Sequence, residues 1–197
     1  MKKLAIICLL IGSIPIILGL KTSDSNTAPT LVPNTAYKTK YHIILVLDGP
    51  RFTETYGDTT YQNIPFQGNE LKKEGTLFIN FQNGGSTYTN SGHTALTTGV
   101  HQRISNSGTQ LPKNPSIFQY LLQQKKLDKR KAWILTSKGK LEMLGNTKDK
   151  KWWNQYIPST YCGINGSGVG YPNDRNIYPI FKEIIQKNQP SLTLINL

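Results

Sequence analysis

With 197 residues, the chain is long enough for one domain or for part of a larger one. Its 37% hydrophobic and 17% charged residues exclude a disordered polymer. The 23 basic residues against 11 acidic ones give a net charge of +12, which favours anionic partners such as phosphate esters, nucleic acids or acidic lipids. No nucleic-acid-binding motif accompanies the charge, so nucleic acid is not an expected partner. The runs Lys125–Lys131 and Lys148–Lys151 read as solvated basic faces.

The first twenty residues differ from the rest. Lys2 and Lys3 precede an almost unbroken apolar run from Leu4 to Leu20, the pattern of an export signal. The run is long for a cleaved signal and no small-x-small site follows it. An uncleaved anchor, attaching the protein to a membrane through residues 4–20, is therefore the alternative. Either way the expected location is outside the cytoplasm: periplasmic, membrane-anchored or secreted. Residues 21–40 carry Ser, Asn, Thr and two prolines and read as a linker, leaving 41–197 as the folded part. Of the two cysteines, Cys8 lies in the apolar run. Cys162 is thus left without an intrachain partner and reads as a small buried hydrophobe.

Residues 42–47 form a continuous apolar run ended by Asp48-Gly49-Pro50, which suits a central strand of a parallel sheet with Asp48 at its carboxyl end. Helical character is expected over Asn63 to Glu74 with a stop at Gly75, and the alternation of Thr76 to Phe81 predicts a second strand. The loop from Gln82 to Tyr88 then leads to a helix start at Thr89. Asn114-Pro115 has the form of an N-cap and first helical residue, with Ile117, Tyr120 and Leu121 as the buried stripe that follows. A third strand is expected over Ala132 to Thr136, ending at Ser137-Lys138-Gly139-Lys140, with a helical turn over Leu141 to Leu144. Trp152 to Asp174 has no clear period and reads as a surface excursion. A helix over Ile177 to Lys187 and a fourth strand over Ser191 to Leu197 complete the pattern. Alternating strands and helices predict an α/β fold: a mostly parallel sheet with helices on both faces. Strands normally feed a crossover, so the sequence reads as an N-terminal portion, incomplete at its C-terminus.

Three residues carry candidate chemistry. Asp48 stands at a strand end, where α/β proteins bind ligands, although a turn or cap role fits it equally. Thr89 stands where a glycine-rich loop turns into a helix. Unpaired N–H groups and the positive end of the helix dipole there suit an anionic oxygen, although Thr is also a routine N-cap. His93 falls in the first turn of the same helix, where packing alone would account for it.

Taken in order, these stretches resemble the alkaline phosphatase superfamily, which holds phosphatases, phosphodiesterases, phosphonate hydrolases and sulfatases. Residues 43–51, Ile-Ile-Leu-Val-Leu-Asp-Gly-Pro-Arg, are similar to its first strand and metal-binding Asp, above all in the nucleotide pyrophosphatase/phosphodiesterase branch. Asn63 to Phe78, with Leu71-Lys72-Lys73-Glu74-Gly75-Thr76-Leu77-Phe78 within it, resembles the helix and strand that follow. Thr89 to Gly99, ending in Leu96-Thr97-Thr98-Gly99, has the length of the nucleophile segment. Thr136 to Leu141 is similar to a lysine-pair strand end of phosphonate- and phosphodiester-cleaving members. The resemblance implies an alkaline phosphatase-like fold and an exported, metal-dependent phosphoric ester hydrolase acting on a small anionic phosphoester. It further implies Thr89 as nucleophile, Asp48 and Thr89 as metal ligands, Lys138 and Lys140 as substrate contacts, and two divalent metal ions, zinc by preference. His93 falls on a position often filled by His or Arg and is expected to give structural support.

The departures matter as much. Thr89 and a lone Asp48 disfavour sulfatase chemistry, which needs a Cys or Ser nucleophile precursor and paired acids. Ser91 lies two positions off the nucleophile slot. The superfamily's remaining metal ligands come from later strands, and none of His42, His93 and His101 stands where they would. Asp48 and Thr89 alone are too few donors for two zinc ions. These 197 residues by themselves are therefore expected to turn over no ester and to bind metal weakly. The alternative is a non-catalytic fragment, or an extracytoplasmic domain that binds anions without turnover.

Overall fold

The computed structural model describes residues 39–197. The signal or anchor at 1–20 and nearly all of the 21–40 linker lie outside the described residues. Four strands, β1 (His42–Val46), β2 (Ala132–Thr136), β3 (Ser159–Cys162) and β4 (Leu192–Asn196), form one sheet in the order β1-β4-β2-β3. All three pairings are parallel, with His42 and Ala132 both level with Leu192. Of the helices, α1 spans Lys72–Glu74, α2 Thr89–Thr98, α3 Ile117–Lys125 and α4 Ile177–Asn188. The general α/β class is thus observed.

The two-residue period of the strands sorts their side chains between two cores. Ala132, Ile134 and Leu194 face one side, where Phe118 and Leu122 of α3 and Leu141 and Leu144 close over them. Leu135 and Ile195 face the other, against Ile177 and Ile184 of α4 with Ile180 and Phe181 at the margin. Helices therefore cover both faces, as the alternating pattern requires.

Several local expectations are corrected. β1 is not central: it is an edge strand, with Ile43 41% and Leu45 37% exposed. Residues 76–81 form no strand, and Phe78, Ile79 and Phe81 project into solvent, because a two-residue alternation without a ladder partner gains no backbone hydrogen bonds. The helix expected over 63–74 is shorter, starting at 65, and widens to π geometry at Gln67–Leu71 before α1. α3 is capped not by Asn114 but by Ser116, whose hydroxyl accepts from the Gln119 N–H while the Gln119 side chain reciprocates, forming a capping box. That start sets which face is buried: Phe118, Gln119 and Leu122 turn inward, while Tyr120 is 41% exposed. The excursion over 152–174 contains β3, which the sequence reading passed over.

Candidate active site at the carboxyl ends of the strands

Parallel strands bring their carboxyl ends to one edge of the sheet, and the candidate residues follow from that. The ladder continues past β1: the Leu197 N–H donates to the Val46 carbonyl at 3.1 Å, and the Asp48 N–H to the Leu197 carbonyl at 3.0 Å. Asp48 is thereby fixed just beyond the strand. Gly49 follows with φ +97°, a left-handed conformation that suits glycine and turns the chain away. Two strands across, Lys138 stands two residues past β2, held by the Thr136 hydroxyl, which donates to the Lys138 carbonyl at 2.7 Å.

Asp48 and Lys138 meet: Lys138 Nζ donates to Asp48 Oδ2 at 2.6 Å. Their side chains are only 31% and 15% exposed, so the pair is partly withdrawn from water. Tyr171 flanks it, with the Lys138 ammonium 5.7 Å from the ring centre. Nothing in the sequence marked Tyr171 for this role, since it lies in an aperiodic glycine-rich stretch. Lys140 is half-buried nearby, and its pKa is lowered, first by burial and then by the neighbouring Lys138 charge, with Asp48 acting in the opposite direction.

Thr89 is the first residue of α2 and half-exposed, while Ser91 is buried with its hydroxyl on the Ile104 carbonyl at 3.4 Å. Of the two hydroxyls, Thr89 is thus the more accessible. The loop at 105–106 clasps this helix start. Asn106 Oδ1 accepts from the Asn90 N–H at 3.1 Å, and the Asn90 side-chain amide donates to the Ser105 carbonyl at 2.9 Å. Tyr88 occupies the N-cap position without a side-chain cap bond, so the N-cap role open to Thr89 on sequence grounds is not the one it takes.

His93 sits one turn into α2, 3% exposed, with Nδ1 2.8 Å from the Thr89 carbonyl. A carbonyl only accepts, so Nδ1 carries the proton and Nε2 is left with its lone pair. That Nε2 is buried and has no hydrogen-bond partner. Burial, the largest cause, lowers the pKa of the ring. The Thr89 bond and Asp48 oppose that shift, and the Lys138 and Lys140 charges add to it. Asp48, Lys138 and Lys140 thus all act electrostatically on the ring that is bonded to the Thr89 carbonyl. Asn90 Oδ1, Thr94 Oγ1 and Ser137 Oγ are further buried polar atoms without partners on α2 and the β2 end.

The structure therefore joins Asp48 to Lys138 and His93 to the Thr89 carbonyl, and the charges of Asp48, Lys138 and Lys140 bear on the His93 ring. The other histidines lie elsewhere: His42 Nδ1 faces the Ser191 carbonyl at the opposite end of the strands, and the His101 ring packs against Gly85. The residues present do not fit a two-metal centre by themselves. Among the described residues no three His, Cys, Asp or Glu side chains come close enough to hold a metal ion, and the Asp48 carboxylate is engaged by a lysine. What the arrangement offers is a cationic strand-end edge and a helix start that carries a half-buried threonine. No family model matches this chain, and no curated protein or solved structure matches it either.

Proposed function

We propose that this chain carries the nucleophile-bearing part of an exported phosphoric ester hydrolase of alkaline phosphatase-like fold, with Thr89 as the nucleophile. The observation that supports it is the Asp48–Lys138 contact at the carboxyl ends of β1 and β2, whose charges, with that of Lys140, bear on the ring of His93, the residue bonded to the Thr89 carbonyl. A phosphoester bound here would place anionic oxygens against the two lysines and the positive end of the α2 dipole. In-line attack by the Thr89 oxygen on phosphorus would expel the ester alcohol and leave a phosphothreonine for water to hydrolyse. His93, pinned to the Thr89 carbonyl, would hold the first turn in place. The superfamily's two divalent ions, zinc by preference, need donors beyond Asp48 and Thr89, so these residues alone are expected to bind phosphate and to turn over no ester.

A second reading, an anion-binding domain without turnover, is favoured by the ion pair itself. Lys138 neutralises the carboxylate that the resemblance assigns to a metal.

Two measurements test these readings. Calorimetric titration with inorganic phosphate is expected to show saturable binding, weakened about tenfold in Lys138→Ala/Lys140→Ala. No binding by the wild type removes both readings. Release of p-nitrophenol from its phosphate mono- and diesters is then followed with added zinc. No turnover by either protein is the expected result. Turnover that Thr89→Ala abolishes would establish the nucleophile while showing the donor count to be wrong, and measurable turnover at equal rates in the two proteins would sink the role of Thr89.

A further inference from the structure

The end of the sheet opposite Asp48 carries a second concentration of charge. The register sets the starts of β1, β4 and β2 level, so the residues leading into β1 and β2 share one edge. Lys40 precedes β1. Lys125 and Lys126 end α3, and Lys129 and Arg130 follow on the way to β2. All five are exposed. The one acid among them, Asp128, is already paired with Arg130 at 2.7 Å. Lys40, Lys125, Lys126 and Lys129 belong to no ion pair among the described residues. Between the two flanks lies a groove of about 640 Å³ whose lining includes Lys40, Tyr120, Leu121, Lys125 and Leu127. Tyr41 and Tyr120 stand at this end with rings 52% and 41% exposed.

We propose that this strand-start end is a docking surface for an anionic lipid bilayer. Four unpaired lysines and an arginine around exposed tyrosines and an apolar groove match the chemistry of such a surface, where lysine meets lipid phosphate and tyrosine settles at the headgroup level. Placement adds a second argument. The apolar run 4–20 is joined to Lys40 by a polar stretch of about twenty residues, so a bilayer holding that run keeps lipid within reach of the strand starts. Tethering raises the local concentration of lipid at the lysines. Docking through the strand starts leaves the Asp48–Lys138 edge facing away from the bilayer, toward soluble esters. The proposal rests on residues 4–20 acting as an anchor, and it stands or falls independently of the hydrolase reading.

The test is lysine footprinting of the full chain on vesicles of phosphatidylcholine with and without phosphatidylglycerol, using an acetylating reagent and mass spectrometry. On the anionic vesicles Lys125, Lys126 and Lys129 are expected to react about tenfold more slowly, with Lys140 at the opposite edge unchanged and the protection lost on adding salt. In Lys125→Glu/Lys126→Glu/Lys129→Glu, Lys40 should lose its own protection, while an unchanged urea-unfolding midpoint reports an intact fold. Equal reactivity on both vesicles would overturn the proposal. So would protection by a lipid-free single-stranded oligonucleotide with none on vesicles, which would identify a nucleic-acid surface instead.

Discussion

Asp48 and Lys138 are 90 positions apart in the chain, yet their charged atoms lie 2.6 Å apart, joining the end of β1 to the end of β2 across β4. The contact spans the whole width of β4, so it forms only when both outer strands have docked on the middle one. Being partly withdrawn from water, it should be worth more than an exposed pair and less than a fully buried one. A double-mutant cycle of Asp48→Asn and Lys138→Met, read by urea unfolding, is expected to give a coupling energy of about 1–2 kcal/mol. A coupling near zero would mean that solvent screens the pair completely.

His93 makes the stability of the fold sensitive to acid. Its folded pKa lies below the ordinary 6.5 because burial disfavours the cation. As pH falls through 6.5 the unfolded chain takes up a proton that the folded ring refuses, so stability drops, by up to about 1.4 kcal/mol per pH unit until the folded pKa is reached. Above 6.5 both states are neutral and the contribution of His93 is flat. Urea unfolding across this range should show that slope in the wild type and a shallower one in His93→Gln. An identical slope in both would assign the acid sensitivity to other groups.

Cys162 should be chemically silent in the folded protein. Its thiol is fully buried, with the sulfur donating toward the Ile134 carbonyl at 3.7 Å, and burial pushes its pKa up to about 12. Thiolate is the reactive form, so alkylation needs the core to open. Peptide mapping after iodoacetamide treatment is expected to find Cys162 unmodified in native protein and modified in urea. Modification under native conditions would mean that β3 opens locally at the sheet edge.

The start of α3 offers a clean separation of two candidate caps. Ser116→Ala removes the hydroxyl that accepts from the Gln119 N–H and should cost about 1 kcal/mol, whereas Asn114→Ala should cost little. Thermal unfolding of the two variants decides between them. The reverse order would restore Asn114 as the effective cap.

Legibility followed burial. β2 and β4 were visible as apolar runs because each is paired on both sides and covered on both faces, so almost every side chain must be apolar. β1 has the same apolar look for a different reason, since Ile43 and Leu45 are exposed at an edge, and its position in the sheet was therefore misread. β3 escaped because an edge strand needs only one ladder, and Ser159-Thr160-Tyr161-Cys162 carries too little apolar pattern to stand out from its surroundings. Residues 76–81 show the reverse failure, a strand-like alternation with nothing to pair against. At the site, Asp48, Thr89 and Lys138 could be named from local patterns, since a strand end and a helix start have local signatures. That Lys138 would neutralise Asp48, or that Tyr171 would flank the pair, depends on which strands become neighbours, and no local pattern carries that. The His93 bond to the Thr89 carbonyl was within reach, because residues four apart on a helix share a face.

The order β1-β4-β2-β3 also constrains how the molecule can be built during synthesis. β1 and β2 never touch as strands; each is paired to β4, the latest of the four described strands in chain order. Until residues 192–196 emerge, the nascent chain can form the β2–β3 ladder, but β1 has no strand to pair with and its apolar side chains wait in the open. While residues 47–191 are being made, β1 stays unprotected, a condition that invites chaperone capture and premature association. The arrival of β4 then joins the two waiting parts and creates the site edge with them.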